Sequence, residues 1–372
     1  MSERILVTGG AGFIGSFVCD LLAAEGYDVV AVDKLDPQVH PAGQWPAWRN
    51  PRVEYHLGDC TDPALWRAWL PRVGAVIHLA AVVGVGQSQY QVAHYVRNNV
   101  MGTALMLDEV VNGGRRPRKL IVASSNTIYG EGRYRRPDGG DAYPRLRPAA
   151  QLRRREWELR DADGAALAPA PTPESKPLDC TTVYAITKRD QEEAVLAIGQ
   201  AYGVPAVALR FFGVCGPRQS LSNPYTGVAA IFLSRLRNRR APLVFEDGRQ
   251  TRDFVSVRDV AAAVVRALET DAADGLAVNV GTGEPHTVLE VAEMLNSLLG
   301  TAITPEVTGE FRAGDIRHCY ADNRLLRERL GYAPRWSLRD ALEEVVEWGA
   351  HAEAHDAVEA AAAELRDRGL LA

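Results

Sequence analysis

An α/β fold built on a doubly wound parallel sheet, with a smaller mixed α/β unit toward the C-terminus, is what the sequence predicts. Three observations lead there. Short Val- and Ile-rich runs (RILVTG, DVVAVD, VEYHLGD, AVIHLAA, KLIVASS) alternate with helix-like stretches as far as Ser125. These runs are apolar throughout, which suits strands covered on both faces and joined by right-handed crossovers. In VTGGAGFIGS, Gly9, Gly10, Gly12 and Gly15 stand directly after the first strand and before a helix, GSFVCDLLAAEG, that ends at Gly26.

Composition narrows the class. The 372 residues suffice for one large domain or two smaller ones sharing a core. Apolar residues make up 47% and charged residues 24%, the balance of an ordinary globular protein. A net charge of −5 argues against a broad nucleic-acid footprint. Apolar runs stay well short of the roughly 20 residues of a membrane span. The first residues, MSERILVTGG, enter a strand-like run without a basic segment and leader-like core. Cys19, Cys60, Cys180, Cys215 and Cys319 are scattered, without the close pairing of a zinc site or a disulfide framework. The expectation is a cytoplasmic protein without a metal.

Further along, YAITKRDQEEAVLAIGQAYG predicts a long helix and PAVALRFF the strand that follows it. RDFVSVRDVAAAVVRALE reads as strand, turn and helix. VLEVAEMLNSLLG reads as an amphipathic helix ending at Gly300, and AHAEAHDAVEAAAAELRDRG as a surface helix. Residues 131–180, rich in Arg, Pro and Asp, break the rhythm. A gap of that length inside a compact domain predicts a functional insert or a disordered excursion. Its six arginines from Arg145 to Arg160 read as a solvated face, with a phosphorylated ligand as the alternative.

The glycine turn suits a dinucleotide of the Rossmann type. Glycines permit the tight turn and the close approach of a pyrophosphate, and the following helix N-terminus supplies unpaired N–H groups. DVVAVD ends on Asp33, placed to accept hydrogen bonds from the adenosine ribose. Its charge repels a 2′-phosphate, which favours NAD over NADP, although Lys34 adjoins it. Tyr184 and Lys188, in TTVYAITKRD, lie one helical turn apart on one face. A tyrosine with an ordinary pKa near 10 needs a neighbouring cation to act as a base at neutral pH.

Taken together, these motifs resemble the extended short-chain dehydrogenase/reductase superfamily, over residues 1 to about 345 apart from the insert. The resemblance implies cofactor contacts from Gly9, Gly12, Phe13, Ile14 and Gly15 in the turn, from Asp33, and from Asp59 and Cys60 in LGDC. It adds Leu79, Ala80 and Ala81 in HLAA, Asn98 in NNVMGT, and Ser124 in SSNTIYG. Ser125, Tyr184 and Lys188 take the catalytic places, with Tyr184 and Lys188 also touching the cofactor. GRQTRDFVSVRDV resembles the signature of the sugar-nucleotide members, with Arg252 on the diphosphate. Arg312 and Asp315 in FRAGDIRH match a second diphosphate- and ribose-binding pair. Phe245 matches the residue stacked on the base, and Asn223 and Val228 the segment that wraps the nucleotide.

The same resemblance narrows the reaction. Dehydratases carry Asp-Glu after the catalytic residue, where this chain has Asn126 and Thr127, and 3,5-epimerases of the GDP-mannose type place a cysteine at Thr127. Asn126 and Thr127 are therefore expected to face the sugar alongside Ser125. A C4 epimerase that retains NAD is expected, similar to dTDP-L-rhamnose 4-epimerase-like enzymes in VYAITKRDQEE, SNPYTGVAAIF, FEDGRQTRDFVSV and FRAGDIRH. The rivals are a nucleotide-sugar 4-ketoreductase or dehydrogenase and, of another class, a non-catalytic NAD-binding relative. Related inserts often carry paired cysteines of zinc-ribbon type, and YRRPDGG and LRDADGA have none. Gly213-Val214-Cys215 replaces the usual Asn-x-Tyr, leaving the sugar open, and Cys215 reads as a small buried thiol. Residues 1–212 with about 250–278 form the NAD-binding domain, about 213–249 and 279–348 the nucleotide-sugar-binding domain, and 349–372 a surface helix. A homodimer through a four-helix bundle, built from the helices after Asn99 and around Tyr184, is the family expectation.

Overall fold

The computed structural model describes residues 2–372. Seven strands form its main sheet: β1 (Arg4–Thr8), β2 (Asp28–Asp33), β3 (Glu54–Leu57), β4 (Ala75–His78), β5 (Lys119–Ser125), β6 (Ala206–Phe211) and β7 (Ala277–Val280). Their order is β7-β6-β5-β4-β1-β2-β3, and every pairing is parallel. β5 and β6 are buried at every position, as continuous apolar strands under two helical layers must be. Helices α1 (Phe13–Ala24) and α4 (Val257–Glu269) cover one face. Helices α2 (Gly102–Asn112) and α3 (Val183–Tyr202) cover the other. Strand order reverses between β1 and β4, and at such a switch point the carboxyl ends of the strands open a crevice.

Local chemistry explains the helix ends. The Thr182 hydroxyl accepts from the Ala185 N–H at the start of α3, and Gly203 ends it at φ +66°. Helix Val288–Leu299 begins with a reciprocal Thr287–Glu290 capping box and ends at Gly300 with φ +63°. A second, smaller layer gathers Gly213–Cys215, Thr251–Ser256, Pro285–Thr287 and His318–Cys319. It packs against Val228–Arg237, Val288–Leu299 and Leu338–Gly349 around Phe232, Val291, Leu295 and Leu342. Asp253 ties it to the first layer, accepting from the backbone N–H groups of Thr282, Gly283 and Ala321.

Residues 131–180 are an ordered insert. Strands Arg133–Arg135, Asp141–Ala142 and Ala168–Ala170 form an antiparallel sheet over a small core of Tyr134, Ala142, Leu159 and Leu167. Five of the six arginines are exposed, as a solvated face requires. Arg147 is the exception, because it is buried and grips both carboxylate oxygens of Glu246 at 2.8 Å. Charge pairing with Glu246 therefore holds in place a segment expected to be either a functional insert or a disordered excursion. The tail also differs from its sequence reading. Its helix, α5 (Val358–Asp367), is shorter than 350–369, and it keeps one face exposed while burying Ala362 and Leu365.

Candidate active site

The crevice at the sheet edge widens into a cavity of about 650 Å³, lined on one side by the glycine turn and on the other by the smaller layer. Gly9 has φ +70°, and a Cβ there would stand 3.0 Å from the Ala80 backbone. A side chain at Gly15 would collide with the Gly9 carbonyl oxygen. Gly12 precedes α1 with no side chain capping the first turn, which leaves those N–H groups to an incoming anion. This cradle fits a dinucleotide pyrophosphate. Asp33 ends β2 at the cavity wall, held by the N–H groups of Ala11 and Leu35 at 3.1 and 2.9 Å. Both carboxylate oxygens keep further acceptor capacity for ribose hydroxyls. Lys34, the cation nearest the place of a 2′-phosphate, bonds Asn98 at 2.7 Å and pairs with Asp36 at 3.1 Å. Phe13, Ile14, Asp59, Cys60, Leu79, Ala80, Ala81, Asn98 and Ser124 complete this half of the lining.

The catalytic candidates meet at the floor. Ser125 is the last residue of β5, and its oxygen accepts from the Thr127 N–H at 3.2 Å and the Thr127 hydroxyl at 2.9 Å. Tyr184 and Lys188 project from the first turns of α3, and both are almost fully buried. Burial pushes the Tyr184 phenol up to about 12, while a hydrogen bond with Ser125 acts in the opposite direction. Burial drives Lys188 down to about 7, with the Glu192 charge opposing. The expected lowering of the tyrosine by its lysine is therefore not present in the protein alone. Desolvation is the leading cause at Tyr184, and Lys188 turns its amino group to Gln191 at 2.9 Å.

Behind the lysine runs a buried chain that the sequence motifs did not reveal. Gln191 donates to the Thr103 hydroxyl at 2.7 Å, Thr103 meets His78 Nε2 at 3.0 Å, and His78 Nδ1 meets the Thr8 hydroxyl at 2.8 Å. Burial holds His78 neutral, at about 3, with the Lys188 charge acting in the same direction. Asn99, fully buried, donates to the Val82 carbonyl and the Thr187 hydroxyl and receives the Val82 N–H. It fixes the β4 exit loop against α3.

The model of the NAD dependent epimerase/dehydratase family matches residues 5–151 and 163–281. The chain belongs to this family. It is 37% identical to a dTDP-L-rhamnose 4-epimerase of Burkholderia thailandensis over 93% of this chain and 94% of that protein. A solved UDP-glucose 4-epimerase of Thermotoga maritima with UDP-glucose superposes with a TM-score of 0.76, at 29% identity, over 93% of this chain and 98% of that one. A mutant UDP-glucuronic acid 4-epimerase of Bacillus cereus, in complex with UDP-4-deoxy-4-fluoro-glucuronic acid and NAD, also gives 0.76, at 26% identity, over 93% and 99%.

Beyond the floor formed by Ser125, Tyr184 and Lys188, the cavity reaches Asn126, Thr127, Asn223, Val228, Phe245, Arg252, Arg312 and Asp315. Arg252 donates to the Thr251, Ile316 and Arg317 carbonyls, which fix its guanidinium at the wall. Arg312 bonds Asp315 at 2.9 Å and lies 4.9 Å from the centre of the Phe245 ring. Asn223 accepts from the Gln38 side chain at 3.3 Å and the Tyr225 N–H at 3.0 Å, so it links the two sides of the mouth. The Cys215 thiol is buried and pushed up to about 12 by desolvation, which makes it an inert filler. A Cβ at Gly213 would come within 2.8 Å of the Asp253 carbonyl oxygen, which explains the glycine there. Sequence reasoning missed Val82, Val83, Gln250 and the inner face of α5. Gln250 was readable beside Arg252. The α5 face was readable in the apolar spacing Val358, Ala361, Ala362, Leu365.

Proposed function

We propose that the protein is an NAD-dependent nucleotide-sugar 4-epimerase acting on a dTDP- or UDP-linked hexose or 6-deoxyhexose. The observation that carries this reading is a single cavity. It joins the glycine cradle and Asp33 to Ser125, Tyr184 and Lys188, and continues to Arg252, Arg312 and Phe245. NAD, which Gly9, Gly12, Gly15 and Asp33 would hold, would supply the acceptor and donor for a hydride exchanged with C4. Ser125 orients the C4 hydroxyl, and Tyr184 removes its proton as the C–H bond breaks. Lys188 stabilises the phenolate and holds the nicotinamide ribose. The 4-keto sugar then turns between Val82, Val83 and Thr127, and Tyr184 gives the proton back to the carbonyl oxygen. The two arginines suit diphosphate oxygens, Asp315 the nucleotide ribose, Phe245 the base, and Asn223 and Val228 the segment around it. Asn126 and Thr127, in place of an Asp-Glu pair, leave no acid and base to eliminate water. Asp33 disfavours the NADPH that a ketoreductase would exchange at each turnover.

The assignment extends to organisation. Residues 1–212 with about 250–278 serve the cofactor, and about 213–249 with 279–348 serve the nucleotide sugar. A homodimer is supported by Val92, Val96, Met101 and Ile186, large apolar residues left exposed on α3 and the helical run before α2. Within EEAVLAIGQAYG, Val195, Leu196 and Ile198 pack into the protein's own core, while Ala194, Ala197, Ala201 and Tyr202 stay exposed. Among the described residues no helix is long and apolar enough to cross a membrane. A cytoplasmic location suits this and the free cysteines. The test is a panel of dTDP- and UDP-sugars followed by proton NMR and absorbance at 340 nm. Interconversion of two C4 epimers without net absorbance change is expected. Stoichiometric consumption of NADPH with a 4-keto sugar would replace this reading with the reductase.

A further inference from the structure

The C-terminal fifteen or so residues take no part in the assignments above, yet they contact both sides of the cavity. Val358, Ala361, Ala362 and Leu365 of α5 line it. Leu365 and Leu371 are buried in a small cluster that includes Tyr90 from the cofactor side and Phe245 from the nucleotide side. A Cβ on Gly86 would lie 3.4 Å from a Leu365 methyl, so the helix also abuts the loop after β4. Past α5 the chain runs antiparallel to the segment bearing Arg312. The Phe311 N–H donates to the Ala372 carbonyl at 2.8 Å, the Ala372 N–H returns a bond at 3.1 Å, and the Ala313 N–H donates to Leu370 at 2.9 Å.

The polar contacts point the same way. Glu364 accepts from the hydroxyls of Tyr90 at 3.0 Å and Tyr225 at 3.3 Å, one from each side of the mouth. Arg366 pairs with Glu310 at 2.8 Å, and Arg368 stands 4.2 Å from the Tyr90 ring centre. Arg366 and Arg368 are exposed and Glu310, Glu364, Tyr90 and Tyr225 only half-buried, and pairs so open to solvent hold weakly. The buried cluster beneath them is small. A segment so attached opens at a low free energy compared with the core.

We propose that Val358–Ala372 is a substrate-binding strap. The inner face of α5 forms a wall of the nucleoside slot beside Phe245, and the strap lifts from Tyr90, Tyr225, Phe245 and the 311–313 segment to admit and release the nucleotide. This rests on the nucleotide-sugar reading of the cavity. Because an occupied slot requires the closed strap, ligand binding and strap opening compete. At ten times the dissociation constant a nucleotide should slow exchange through the open state about tenfold.

The experiment is amide hydrogen exchange of the full-length holoenzyme by mass spectrometry, with and without dTDP or UDP. The expected result is about tenfold slower exchange over 358–371, together with protection of peptides containing Phe245 and Arg252. Protection of the Phe245 and Arg252 peptides with no change in the tail would overturn the strap and leave the nucleotide-sugar reading standing. No protection of any cavity peptide by either nucleotide would overturn both. A kinetic check uses Leu365→Ala, which shortens the wall without breaking the backbone pairing. KM for the nucleotide sugar should rise about fivefold with kcat nearly unchanged. An unaltered KM would count against the strap.

Discussion

Replacing Arg147 with Met should loosen the insert and, through it, the nucleotide end of the cavity. The side chain is buried, and its guanidinium spans Glu246 at 2.8 Å twice, the Trp157 carbonyl at 3.1 Å and the Asp315 carbonyl at 3.3 Å. Glu131, also buried, lies 3.9 Å away. Arg317 retains its own bond to Glu246 at 3.0 Å, so the acidic partner is not fully abandoned. Breaking a buried pair costs about 3–5 kcal/mol, and the surviving Arg317 contact places this variant near 3. With about 2.1 cal/mol/K of unfolding entropy per residue, the 372 residues give about 0.8 kcal/mol/K, so Tm should fall by about 4 °C. Burial already raises the Glu131 carboxyl and Arg147 opposes that rise. Without Arg147 it rises further. A carboxyl raised in the folded state loses stability as pH climbs through its folded pKa, so the Tm deficit should be larger at pH 8 than at pH 5. Glu246 follows Phe245 and Asp315 closely follows Arg312, so KM for the nucleotide sugar should rise more than kcat falls. Differential scanning calorimetry across that pH range, with steady-state kinetics, provides the test. A Tm within about 1 °C of wild type at both pH values would refute the role given to this pair.

Tyr184→Phe should lower kcat by about 10²- to 10⁴-fold while NAD content stays at the wild-type level; full retained turnover would remove Tyr184 from the mechanism. In wild type, the phenolate with a protonated lysine holds as many protons as the phenol with a neutral one. The acid limb of kcat/KM should therefore level off above the first proton loss of the pair, at about 7. Lys188→Met leaves a phenol at about 12, so its kcat/KM should keep rising through pH 9; a plateau near 7 in that variant would contradict the assignment. Asp33→Ala should weaken NAD retention and narrow the preference for NAD over NADP, read by cofactor content after dialysis and by titration with each nucleotide.

The parallel sheet was legible because its strands are apolar on both faces, and KLIVASS coincides with β5 from end to end. The residues expected to bind cofactor and substrate line one cavity because motif and position coincide at strand ends and helix starts. Arg147 was illegible for a physical reason. Its main partner, Glu246, lies far outside the insert in sequence, and five neighbouring arginines are solvated. The His78–Thr103–Gln191–Lys188 chain combines β4, α2 and α3, and no local pattern announces such a contact. In the tail the apolar spacing marked a face, but nothing local marked what covers it. Its alanines and charges suit a surface helix, and the burial of Leu365 depends on a cluster that takes in the sequence-distant Tyr90 and Phe245.

Redox-neutral epimerisation at C4 is tested most directly with a nucleotide sugar carrying deuterium at C4, incubated with the holoenzyme in ordinary water and followed by proton NMR. The hydride that leaves C4 should return to C4, so both epimers should appear with the deuterium retained and no reduced cofactor accumulating. Proton in place of deuterium at C4 of the product, or reduced cofactor formed in proportion to sugar consumed, would contradict the account.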